Sequence, residues 1–129
     1  MVGLISKIKS LCYSIRQKKH KQQRVPDLWL EDIWGLDETL ADLISRCLKE
    51  FKEMLDISGA TPGIFVREYG DRCWDEWSAT IEKMIYAFDT YAKHAYDSDQ
   101  RISDLPQEEQ DKIQEGMQLF IKYFRYLNY

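Results

Sequence analysis

The chain predicts an all-α fold: a bundle of three long helices with an N-terminal basic amphipathic helix. Three observations carry that expectation. Apolar residues recur at helical spacing in three stretches of about 20 residues, and no stretch alternates polar and apolar as a half-buried strand would. Four tryptophans stand in two doublets, Trp29 with Trp34 and Trp74 with Trp77, each just before or inside the first turn of a helical stretch. Side chains of this size carry a large apolar area at low entropy cost, so the doublets are expected to anchor helices in one core. With 129 residues, 44% of them hydrophobic and 13% aromatic, one chain-wide core is within reach.

The first element is the basic one. Leu4, Ile5, Ile8, Leu11, Cys12 and Ile15 keep helical spacing, with serine and basic residues on the opposite side. Gln17 to Arg24 contains no apolar residue and Val25-Pro26 interrupts the pattern, so residues 1–24 read as a basic arm and 25–129 as the bundle domain. Residues 1–26 hold seven Lys/Arg and no acid, while the other eleven Lys/Arg face all 22 Asp/Glu in 27–129. The net charge of -4 therefore divides into +7 and -11.

Leu36, Leu40, Leu43, Ile44, Cys47, Leu48, Phe51 and Leu55 predict the first long helix, over 37–55, with Asp37 placed as its cap. Residues 56–73 contain Ser58-Gly59 and Thr61-Pro62-Gly63 and show no sustained period, which predicts a loop, with Ile64-Phe65-Val66 as a short extended piece or a satellite of the core. The second helix is expected near 74–96 from Trp77, Ile81, Met84, Ile85, Phe88, Tyr91, Ala92 and Ala95, ending at Asp97-Ser98-Asp99. Pro106 followed by Glu108 and Glu109 marks the third start, because proline is tolerated in a first turn and acids there complement the helix dipole. Its stripe is Ile113, Gly116, Met117, Phe120, Ile121, Phe124 and Leu127, running to about 127. A glycine in mid-stripe costs about 1 kcal/mol in helix propensity. A close helix approach would explain it, with Ala41, Ala79 or Ala87 small enough to be the partner. Leu40, Ile44, Phe51, Trp77, Ile81, Phe88, Phe120 and Phe124 are expected among the most buried residues.

Chemistry is sparser than architecture. His20 and His94 have no cysteine or carboxylate at zinc spacing, so no metal site and no cofactor are expected. The acids Asp37, Glu38 and Asp42, and again Asp71, Asp75 and Glu76, are of the type used in acid/base or divalent-metal chemistry, but helix starts attract acids through the dipole alone. Thr61-Pro62-Gly63 lacks the glycine spacing and lysine of a phosphate cradle. Cys12, Cys47 and Cys73 are odd in number and widely spaced, which fits a reduced cytosolic protein. No signal peptide and no membrane span are predicted, since Lys7 and Lys9 interrupt the one N-terminal apolar stretch. Phe120, Tyr123, Phe124, Tyr126 and Tyr129, interleaved with Lys122 and Arg125, have the residue types that stack bases, yet their spacing equally makes core plus an amphipathic rim. With -11 on the body, sequence-specific nucleic-acid binding is not expected. Lys7, Lys9, Lys18, Lys19 and Lys21 on the arm suit an anionic surface, either membrane or acidic partner. The alternative is an arm packed on the bundle with a solvated lysine face.

Three blocks add a resemblance. WLEDIWGLDETLADLISRCLKEFKEML from Trp29, WDEWSATIEKMIYAF from Trp74 and EGMQLFIKYFRYL from Glu115 resemble a family of small proteins encoded by tailed bacteriophages and prophages. That family follows a basic N-terminus with a Trp-x-Leu-Asp helix, a helix with Met-Ile-x-Ala-Phe and a terminal Glu-Gly-x-x-Leu-Phe helix. Two departures stand out: Arg46-Cys47 where the family tends to have Pro-Arg, and a longer connection at 56–73. The resemblance implies a phage origin and a non-enzymatic accessory protein that binds and sequesters a host or defence protein, or a small anionic signalling molecule. The competing expectation is a peripheral membrane or virion-associated protein anchored by the basic arm. Among the positions shared with the family, Trp34, Asp37, Lys49, Trp77 and Glu115, together with Lys122, are expected to contact the ligand or partner, and a homo-oligomer is expected to bring two such surfaces together.

Overall fold

The computed structural model describes residues 33–97 and 99–128, which are helical with no strand among them. The elements are α1 (Leu36–Ser58), α2 (Gly63–Tyr69) running into a 3-10 turn (Gly70–Arg72), α3 (Cys73–His94), a 3-10 turn (Ile102–Asp104), α4 (Gln107–Lys122) and a last 3-10 turn (Phe124–Tyr126). The expected basic arm over 1–24, with Lys7, Lys9, Lys18, Lys19 and Lys21, lies outside the described residues, as does Trp29.

α3 is the middle of the fold. α1 and α4 each pack along it, and their backbones come close to α3 rather than to each other. The inner face of α3 carries Trp77, Ile81, Met84, Ala87 and Phe88, all buried. Ala41, Leu48 and Leu55 meet it from α1, and Ile113 and Tyr123 from the α4 side. Ser45 is the one buried polar residue among the described residues, and its hydroxyl donates to the carbonyl of Asp42, 3.0 Å away.

The sequence expectation needs correcting at several places. Residues 63–69 form a helix, not a loop: Pro62 sits at its cap with φ -59° and ψ 143°, and Phe65 drops into the core at 2% exposure. Seven residues are too few for a helical period to show. α1 runs three residues beyond 55 and stops where Gly59 takes a left-handed φ of 68°, its N–H bonding the Leu55 carbonyl at 2.6 Å. Asp37 makes no side-chain cap, since Gly35 holds the cap position. α4 ends at Lys122, where Tyr123 leaves helical geometry and turns its ring onto the core.

Burial is also redistributed. Trp77, Ile81 and Phe88 are buried as expected, and Ile44, Phe51 and Phe120 are half-buried. Leu40 and Phe124 are exposed, at 42% and 62%. Of the tryptophans, Trp77 is core, Trp74 half-buried and Trp34 exposed. A helix with neighbours on one side buries only part of a wide apolar stripe, and Leu40 and Phe124 stand on the part that α3 does not cover.

The close approach inferred from Gly116 is real, and its partner is Ala87. A Cβ at 116 would collide with the Lys83 carbonyl oxygen and the Ala87 methyl. Ala41 is buried elsewhere and Ala79 is exposed. Next to this contact an aromatic group closes the other end of the core: Phe65 lies 4.9 Å from Trp77 and 5.0 Å from Tyr123, ring centre to ring centre, and Trp77 meets Tyr123 edge-on at 6.0 Å. Such geometry adds about 0.5–1.5 kcal/mol per pair beyond area burial.

Gly116→Ala is expected to destabilise by about 1–3 kcal/mol despite its better helix propensity, because a backbone carbonyl cannot step aside. Phe65→Ala should cost about 3–5 kcal/mol through lost burial and a cavity. Denaturant melts of both variants provide the measurement; a neutral Phe65→Ala would mean that α2 is not anchored by its aromatic contacts.

Candidate functional site

The residues expected to form one site are placed on different parts of the bundle. Asp37, in the first turn of α1, accepts hydrogen bonds from the hydroxyls of Tyr91 and Tyr96, each at 2.6 Å. Tyr91 belongs to the end of α3 and Tyr96 follows it, so the carboxylate ties the start of α1 to the end of α3. The Tyr91 hydroxyl, then that of Tyr96, hold the Asp37 carboxyl below its ordinary range. Reciprocally, the bond to Asp37 pushes Tyr91 up to about 12 and raises Tyr96. Trp34, 60% exposed, precedes this clamp.

Lys49 spans from α1 to Asp89 of α3 at 3.2 Å, and Lys93 reaches the other oxygen of Asp89 at the same distance. Lys52 bonds Asp56 on its own helix at 3.0 Å and approaches Glu82 of α3 at 3.6 Å. Glu115 of α4 pairs with Lys83 of α3 at 3.0 Å. Trp77 is 1% exposed and belongs to the aromatic group at the opposite end of α3 from the Asp37 clamp. Trp77 and Tyr91 are 14 positions apart, about 21 Å along a helix at 1.5 Å per residue, which no small ligand bridges. Lys122 stands over the face of Tyr123, its ammonium 5.1 Å from the ring centre, and Arg125 stands likewise over Tyr126.

A shared pocket around Trp34, Asp37, Lys49, Trp77, Glu115 and Lys122 is therefore not assembled within one copy of the described chain. Asp37, Lys49 and Glu115 have partners across helix interfaces that give each a positioning role. The sequence led to the expectation that these three contact a ligand or partner; among the described residues each is held in an interhelical pair. Tyr91 and Tyr96, the groups that occupy Asp37, were missed because helical spacing assigned Tyr91 to the core stripe and gave Tyr96 no role.

One cleft of about 220 Å³ opens between Leu55, the 60–62 connection, Trp77, Tyr126 and Asn128. It falls below the roughly 300–1,000 Å³ usual for small-molecule sites, and no charged side chain lines it. Among the described residues no group of three or more His, Cys, Asp or Glu is placed to hold a metal ion. His94 instead contacts the Gln100 carbonyl through Nδ1 at 2.9 Å, closing the turn after α3. No described helix is long and apolar enough to cross a membrane.

What the bundle does expose is apolar surface at its two outer helices. Ile121 is 75% and Phe124 62% exposed, beside the exposed cations Lys122 and Arg125. On α1, Leu36, Leu40, Leu43, Met54 and Ile57 are all exposed. No family model, no curated protein and no solved structure matches the chain.

The clamp generates a pH expectation. Asp37 has a folded pKa below its unfolded value, so its contribution is present above roughly pH 4 and is lost as pH falls through the lowered folded value. Tyr91 has a folded pKa raised to about 12, so its share is complete below roughly pH 10 and is lost as pH rises toward 12. Asp37→Asn is expected to cost about 1 kcal/mol at neutral pH, the lower end for charged hydrogen bonds because the site is wet. The difference in melting between the two proteins should vanish near pH 2. A constant difference across pH would contradict the clamp.

Proposed function

We propose that this protein is a non-enzymatic binding protein that acts by stoichiometric contact with another protein, a host or defence component in the setting that the resemblance to small phage proteins implies. The observation that carries this reading is the end of α4. Ile121 and Phe124 present apolar area to solvent, and each is followed in the chain by an exposed cation, Lys122 and Arg125. An apolar centre with a charged rim is the anatomy of a protein interface, and cations there favour a partner with acidic groups around an apolar socket. The absence of convergent polar groups around the small cleft gives a small anionic ligand no comparable support.

The test is co-purification from infected cells, comparing tagged wild-type chain with Ile121→Glu/Phe124→Ser. Both positions are exposed, so melting should be unchanged while recovery of the bound protein falls at least tenfold. Raising salt should weaken the wild-type complex, because rim charges are screened over about 10 Å. Equal recovery by the variant, or saturable binding of a cyclic dinucleotide to the purified chain, would defeat the reading.

A second reading rests on the +7 charge of residues 1–26: attachment to an anionic membrane surface by the basic segment. Flotation with phosphatidylserine vesicles should then be lost when Lys7, Lys9, Lys18, Lys19 and Lys21 are all glutamine, and flotation that is unchanged counts against it.

A further inference from the structure

α1 carries a second apolar stripe that the bundle does not use. Leu36, Leu40, Leu43, Cys47, Met54 and Ile57, with Glu50 as a single charged member, follow one another at alternating steps of four and three residues. Every one of these seven positions is exposed, with Leu43 at 45%, Met54 at 48% and Ile57 at 89%. The core-facing residues Ala41, Ser45, Leu48 and Leu55 lie on a different face. Both stripes repeat every 3.5 residues, on different faces of α1. A seam repeating every 3.5 residues over three heptads is the pattern of a helix that packs against another helix along its whole length, here about 34 Å for 23 residues.

We propose that this stripe pairs with the same stripe of a second copy of the chain, the two α1 helices running antiparallel. Charge selects the occupant and the direction. In a parallel, in-register pair each seam residue meets its own counterpart, so Glu50 would face Glu50 in the seam, and like charges opposed there are destabilising. In the antiparallel pair that sets Leu40 against Ile57 of the second copy and Leu43 against Met54 of the second copy, Glu50 instead comes beside Arg46 and Cys47 of the second copy. Two-fold symmetry makes every one of these contacts twice. Arg46 is free to serve: its own pair is Asp42, one turn away at 2.9 Å on the open surface, and such exposed pairs hold little. The one residue that breaks the apolar stripe is thus the one that its own sequence complements in this register.

The pairing is independent of the α4 surface assigned to target binding, which stays open in each copy. It would leave the dimer with two such surfaces on one unit, and two linked sites convert a weak contact into a stronger one where a target offers two epitopes.

The experiment is sedimentation equilibrium of the full-length chain over a hundredfold concentration range, with three variants. Wild type is expected as a concentration-dependent dimer. Arg46→Glu places acid against Glu50, and Glu50→Arg places cation against Arg46; each should raise the dissociation constant at least about tenfold with helicity unchanged by circular dichroism, both residues being exposed. The double variant Arg46→Glu/Glu50→Arg restores the pairs with reversed sign and should return to within about threefold of wild type. Leu43→Asp should give a monomer without loss of helicity. The proposal is overturned by a wild type that stays monomeric throughout, as when the chain's own apolar N-terminal segment around Leu4 to Ile15 covers the stripe. A dimer indifferent to the single exchanges, or single exchanges that the double does not rescue, overturns it equally.

Discussion

The approach of α4 to α3 at Gly116 is the constraint from which the other contacts follow. With no side chain at that position, the α4 backbone lies against the Lys83 carbonyl and Ala87, a separation that any Cβ would forbid. That contact sets how far along α3 each later residue of α4 falls. Glu115 meets Lys83, Phe120 meets Phe88 edge-on with centroids 4.9 Å apart, and Tyr123 arrives over Trp77. The helix then stops at Tyr123, whose N–H still bonds the Leu119 carbonyl while its backbone leaves helical geometry. The propensity lost at one glycine is small beside the burial that the close approach permits.

α3 is shared by two neighbours, and its polar edges serve as latches. Asp89 holds Lys49, and Tyr91 with Tyr96 holds Asp37, all on the α1 side; Lys83 holds Glu115 on the α4 side. Individually exposed pairs of this kind contribute little. Their effect is on register: each joins residues that can meet only when the helices are aligned as they are, so charge placement selects among packings that apolar contacts alone would leave close in energy.

This division of labour also bears on function. Asp37, Lys49 and Glu115 are occupied in holding helices, while Leu40 and Phe124, which spacing assigned to the core, are left outside. Exposed leucines and a phenylalanine of this kind are what the proposed contact with another protein surface rests on. The two exposed regions differ in kind. The α4 end is short and cationic, and the α1 stripe is long, periodic and nearly neutral in its own pairing.

Helical periodicity by itself determined the class of the fold, the three long helices to within a few residues at their starts, and the meaning of Gly116, since each is a property of local spacing. The helical form of α2 was not legible, because seven residues do not span enough turns for a period to emerge and Thr61-Pro62-Gly63 reads as a turn. Leu40 and Phe124 were assigned to the core for a related reason: spacing reports which residues share a face, but how much of a face is covered depends on how many neighbours the helix has. Asp37, Lys49 and Glu115 were visible only as expected contacts of a ligand or partner. What they do was decided only by tertiary structure, since a hydrogen bond such as Tyr96 to Asp37 joins positions 59 apart in the chain and has no local signature.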